Sequence, residues 1–155
     1  MDDPRNEEVF QWLIKAEHDI GSARRLLSGD PPYLDTAVYH CQQAAEKSLK
    51  AYLTLKDMPF QKIHDLSFLV EQCKELDIEF EQIIYISSIL TPYAIAFRYP
   101  GDVIEPDPQD ADEALRLAVE VFDFVLNKMP NDMRKKLSEQ KRCLSGADGK
   151  IKQTA

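Results

Sequence analysis

The chain has 155 residues, 30% of them charged, with a formal net charge of −8. That size and balance fit one acidic domain and exclude a broad cationic surface of the kind that coats nucleic acid. No apolar run approaches the ~20 residues needed to cross a bilayer, and the N-terminus MDDPRNEEVFQWL is acidic where a signal peptide is basic, so a cytoplasmic protein without membrane association is expected.

Glycine is scarce, at five residues, and Ala, Leu, Glu, Lys and Gln are abundant, which favours helix. Val9, Leu13, Ala16, Ile20, Ala23 and Leu27 recur at alternating spacings of four and three, the seam of one long helix. The stretch SGDPP at residues 28–32 ends it. Asp35 or Thr36 is expected to cap a second helix with Val38, Cys41, Ala45, Leu49 and Tyr52 on one face. KDMPFQKIHD reads as a loop, and Asp65 as the N-cap of a shorter third helix with Leu66, Leu69, Val70, Cys73 and Leu76 inward.

Ile83, Ile86, Leu90, Tyr93 and Phe97 mark a fourth helix, kinked at Pro92. After a proline-rich acidic loop, Ala111, Ala114, Ala118, Val121 and Val125 mark a fifth, and residues 131–142 a weakly anchored sixth. No sustained period-two alternation suggests strands. The fold class expected is all-α, an up-and-down antiparallel bundle of four long helices plus a shorter fifth. Residues 1–130 form the bundle, and 131–155 a C-terminal extension that is partly helical or disordered. Residues 134–155 carry seven basic and two acidic side chains, a solubilising charge run at a fraying end.

Chemistry-bearing residues are few. Cys41 and Cys73 fall on apolar stripes and read as reduced core residues, and no His/Cys cluster has metal-ligand spacing, so neither metal nor cofactor is expected. Tyr39, Gln43, Glu46 and Lys50 form a polar row on the second helix. The row is either a solvated flank with a Glu46–Lys50 pair at i, i+4 or a groove wall or partner surface. His64 stands at a helix start, where a structural hydrogen bond explains it. His18 and His40 are placed on outward flanks. Arg98 interacts favourably with the carbonyls of a helix end, and Pro100 and Gly101 are ordinary stop signals. Between Phe97 and Tyr99, however, the same arginine suits an anion with a ring alongside.

Together the blocks WLIKAEHDIGSARRLL, AVYHCQQAAEKSLKAYL, HDL and RYP resemble the HEPN domain family (higher eukaryote and prokaryote nucleotide-binding domain), from about Glu7 to Met129. The resemblance implies a helical bundle, commonly a homodimer, and in many members association with a small nucleotidyltransferase partner and a nucleotide or substrate held for it. Other members cleave RNA without metal, using an arginine and a histidine with four to six residues between them. Here Arg98 is followed at those positions by Val103, Ile104 and Glu105, and no histidine occurs after His64. The base and acid that RNA cleavage needs are therefore missing at that spacing, and no catalytic residue is assigned. The expectation is a non-catalytic binding module whose candidate ligand-binding residues are Arg98, Tyr99, Tyr39, Gln43, Glu46, Lys50 and His64. The alternatives are a ligand-free, antitoxin-like interaction subunit and a degenerate ribonuclease toxin that acts on RNA.

Overall fold

The structure is a computed structural model and describes residues 3–60, 62, 64–101 and 105–144. Val103, Ile104 and the end of the basic tail, residues 145–155, lie outside the described residues. Among the described residues all regular structure is helical: α1 (Pro4–Ser28), α2 (Leu34–Leu55), α3 (Leu66–Leu76), α4 (Ile84–Leu90), α5 (Pro108–Asn127) and α6 (Asn131–Leu144). No helix among them is long and apolar enough to cross a membrane.

Local chemistry sets most of the ends. Asp3 accepts from the Arg5 N–H, with Pro4 opening α1 where a missing N–H costs nothing. Asp65 caps α3 by accepting from the Ser67 N–H, and Asp107 caps α5 by accepting from the Asp110 N–H. The start of α2 departs from expectation. Its N-cap is Tyr33, whose long ring side chain has no oxygen placed to accept from the first turn, and the Tyr33 N–H is held by the Leu26 carbonyl at 3.0 Å. Asp35 lies inside the first turn and accepts from the Thr36 N–H at 2.8 Å.

The expected fourth helix is also broken up more thoroughly than a kink. A 3₁₀ segment (Ile78–Ile83) leads into α4, and a second (Thr91–Ala94) follows it. Pro92 supplies no N–H and its ring collides with the carbonyl four residues back, so the α-helical ladder stops at Leu90. Leu76, expected inward, is exposed at the end of α3.

Side-chain pairings give the helix directions. Asp19 meets His40 and Lys47 while Arg5 meets Asp57, so α1 and α2 are antiparallel. Ser67 meets Ser87 and Leu66 meets Thr91, so α3 and α4 are antiparallel as well. Between these pairs the chain doubles back. Gln42 bonds the His64 carbonyl and the Leu49 carbonyl contacts the Cys73 thiol, so α3 runs in the same direction as α2, and the connection after Lys56 returns along α2.

One apolar core joins α1 through α5, with Val9, Leu13, Leu49, Leu53, Leu66, Leu69, Ile86, Leu90 and Leu117 essentially inaccessible. Phe80 plugs the end where the first 3₁₀ segment crosses, its ring centroid 4.5 Å from Tyr52 and 4.9 Å from Phe124. The sixth helix is anchored by Met133 and Leu137, both buried. Lys136 and Lys141 reach Glu7 and Glu17 on α1 at 3.3 and 3.5 Å, surface pairs that add little.

Phe80→Ala removes the plug that ties α2, the first 3₁₀ segment and α5 together, and is expected to cost about 3–5 kcal/mol in urea unfolding. A loss below about 1 kcal/mol would show that this end of the bundle repacks freely.

Candidate functional site

Where the bundle's fourth layer breaks down, the chain makes a tight turn. The Ile95 and Ala96 N–H groups bond the Pro92 carbonyl, and Phe97 takes a positive φ of 68°. A bulky residue in that region is strained by roughly 1–3 kcal/mol, a cost found most often where the backbone must aim a functional side chain. Here it brings the following residue, Arg98, back against α2.

The Arg98 guanidinium does two things at once. Nη1 donates to the Ala94 carbonyl at 2.9 Å, the helix-end role expected of a cation in that position. That bond uses one of five donors. The guanidinium carbon also lies 4.1 Å from the ring centroid of Tyr39 and 5.8 Å from that of Tyr99, a planar cation flanked by two aromatic faces. Arg98, Tyr39 and Phe97 line an open cavity of about 280 Å³ with Asp35, Thr36 and His40.

His40 corrects the sequence reading, which put it on an outward flank. Its side chain is about a quarter exposed, and Nδ1 lies 2.8 Å from Oδ1 of Asp19, a carboxylate on α1 that is 10% exposed. Lys47, two turns further along α2, occupies the other oxygen at 2.6 Å. Burial pushes the Asp19 carboxyl up, but the bonds from His40 and Lys47 and the Lys47 charge outweigh it, and the net displacement is downward. Neither Asp19 nor Lys47 was expected at the site. The only trace in the sequence is the i, i+7 spacing of His40 and Lys47, which means nothing until α1 supplies the acid between them.

The rest of the candidate set gathers elsewhere on α2. Gln43, Glu46 and Lys50 are not a solvated flank: they are 9%, 2% and 8% exposed. Gln43 donates to Gln42, Gln42 donates to the His64 carbonyl, and His64 Nδ1 meets Glu46 at 2.9 Å. Lys50 stands 3.6 Å from Glu46 and 5.5 Å from the ring centroids of both Trp12 and Phe60. Phe60 and His64 belong to the returning connection, so this cluster pins that connection to α2. Cys41 and Cys73 are buried free thiols, and burial raises the Cys41 thiol to about 12, so it is not a nucleophile near neutrality. Among the described residues no three His, Cys, Asp or Glu side chains come together as a metal site.

The depressed Asp19 carboxyl stabilises the fold above its unfolded pKa, near about pH 4, and that stabilisation is lost as pH falls through the lower folded value. Asp19→Asn is therefore expected to destabilise at pH 7 and to narrow its gap to the unmodified chain when urea unfolding is repeated near about pH 3. A gap that is the same at both pH values would contradict the assignment.

Comparison with known proteins adds the lineage. The HEPN domain family model matches residues 9–129. Among solved structures, TT1696 from Thermus thermophilus is 29% identical with a TM-score of 0.69, over 78% of this chain and 98% of that one. ST0689, described as an archaeal HEPN homologue, is 28% identical with a TM-score of 0.61, over 77% of this chain and 96% of that one. No curated protein matches the sequence. The family match runs from the first turns of α1 to just past the end of α5, and the chain belongs to the HEPN domain family.

Proposed function

We propose that this protein is a non-catalytic HEPN binding module that works as a dimer beside a small nucleotidyltransferase and holds a nucleotide through its phosphate. The observation that carries the reading is the Arg98 guanidinium, stacked over Tyr39 at the wall of an open cavity. A guanidinium is the side chain best suited to a phosphate, since its fork of donors matches the oxygens and it never loses its charge. Tyr99, the next residue in the chain, is 61% exposed and has its ring centroid 5.8 Å from the guanidinium. The absence of histidine after His64 supports binding over RNA cleavage by the family's arginine–histidine spacing.

A ligand-free interaction subunit built on the α2 polar row has less support. Gln43, Glu46 and Lys50 are buried in this chain by its own α1 and its own connection, so they offer a partner little surface.

Calorimetric titration with AMP is expected to give saturable binding that Arg98→Ala weakens by roughly tenfold or more, the worth of a charge-assisted pair. Saturable binding unaffected by Arg98→Ala would remove the arginine from the site. No binding of AMP or ATP to the chain, alone or with a co-purified nucleotidyltransferase, would contradict the reading as a whole.

A further inference from the structure

We propose that His40 is a second anion contact in the Arg98 cavity and that Asp19 is its positioning residue, so that the site takes a phosphate dianion between an imidazolium and a guanidinium. The proposal rests on the reading of Arg98 as the anion contact and extends it to a proton-linked site.

Tyr39 sets the spacing of the two cationic groups. Its ring carries the Arg98 guanidinium on its face, 4.1 Å from the centroid, and packs against the His40 ring at 5.6 Å in a T-shaped arrangement. Both side chains line the same cavity. A carboxylate only accepts hydrogen bonds, so the His40 nitrogen facing Asp19 at 2.8 Å carries a proton. Nε2 is then the nitrogen with no part in that bond. In the neutral ring Nε2 is a lone pair that repels a phosphate oxygen, and in the protonated ring it is a charged donor. Anion binding at this nitrogen therefore requires the protonated ring.

Asp19 is built to hold the ring still. It is 10% exposed, and each of its oxygens is engaged, one by His40 and the other by Lys47 at 2.6 Å. Lys47 also balances the Asp19 charge, so the buried acid does not repel the incoming anion. Among the described residues, the charged groups that contact His40 or share its cavity or its Asp19 partner are Asp19 from α1, Lys47 and Asp35 from α2, and Arg98 from the turn after Ala94, and burial keeps the neighbouring Cys41 thiol protonated near neutrality. Among the described residues Asp35 is the one acid in the cavity lining, and its Oδ1 is occupied by the Thr36 N–H. With one carboxylate against Arg98, the cavity becomes net positive only when His40 is protonated.

The test is calorimetric titration of the full chain with sulfate between about pH 5 and 8, the range in which imidazole titrates while sulfate keeps its charge. The expected result is affinity that rises about tenfold as pH falls through that range. His40→Gln, which keeps a donor but cannot titrate, is expected to flatten the profile, while Arg98→Ala removes binding at every pH. Asp19→Asn is expected to weaken sulfate binding and to change the tautomer of His40 seen by nitrogen NMR of the ring, which a merely structural acid would not do. A pH profile that survives His40→Gln unchanged overturns this proposal and leaves the Arg98 reading standing. Sulfate binding indifferent to Arg98→Ala overturns both, and no sulfate binding at any pH overturns this proposal while the AMP titration decides the Arg98 reading. In the unmodified chain, ring NMR during sulfate addition gives an independent check on His40 should a variant fail to fold: Nε2 must shift, and an unmoved Nε2 overturns the proposal. Repeating the titration with AMP separates the sources: AMP tighter than sulfate supports a nucleotide phosphate, equal affinity supports a free oxyanion, and both place an anion between His40 and Arg98.

Discussion

The close pairing of α1 with α2 is the constraint on which the rest depends. Small residues make it possible: Ala16 and Ala23 on α1, and Ala37, Cys41, Ala44, Ala45 and Ser48 on α2, are all inaccessible. Backbones that approach this closely leave room for one carboxylate between them, and Asp19 is tolerated there only because His40 and Lys47 satisfy both of its oxygens. Helix pairing, buried acid and imidazole orientation are thus a single packing solution. The cavity at Arg98 inherits its floor from that solution, because Tyr39 and His40 are adjacent residues on α2.

The second wall comes from a failure of helix. Pro92 stops the α-helix of the fourth layer at Leu90, and the 3₁₀ segment and the positive φ at Phe97 then turn the chain so that the exposed Arg98 lays its guanidinium against Tyr39 of α2. The helix-end role of the arginine and its place in the cavity do not compete. The bond to the Ala94 carbonyl fixes the guanidinium, and Tyr39 supports its face, so the remaining donors are presented with little freedom to lose on binding. A preorganised arginine of this kind is worth more to an anion than a mobile one at the same position.

The helical periods of α1, α2, α3 and α5 were plain in the sequence, since each buries a continuous apolar stripe, and Asp65 announced its cap. Pro92 marked the disturbance in the fourth layer but not its extent, because the conversion to 3₁₀ geometry depends on what the helix packs against. The return of the chain between α2 and α3 was invisible: it is held by Phe60, His64, Gln42 and Lys50, residues whose contacts are non-local and carry no period. The same cause hid burial in the row Gln43, Glu46 and Lys50, which looks like an exposed flank until Trp12 and Phe60 close over it. Arg98 and Tyr39 were recognisable as candidates from residue type and position. Asp19 and Lys47 were not, and His40 was misplaced, because an acid on one helix and a base on the next have no sequence relation until the helices meet.

The single tryptophan provides a direct test, since Trp12 belongs to the α2 cluster away from Arg98 and has an indole N–H without a hydrogen-bond partner among the described residues. NMR titration of the labelled chain with AMP should shift the Arg98 Nε–H and the Tyr39 ring first and leave the Trp12 indole unmoved. Shifts centred on Trp12 with Arg98 silent would place the ligand at the Lys50 cluster and contradict an anion site built on Arg98.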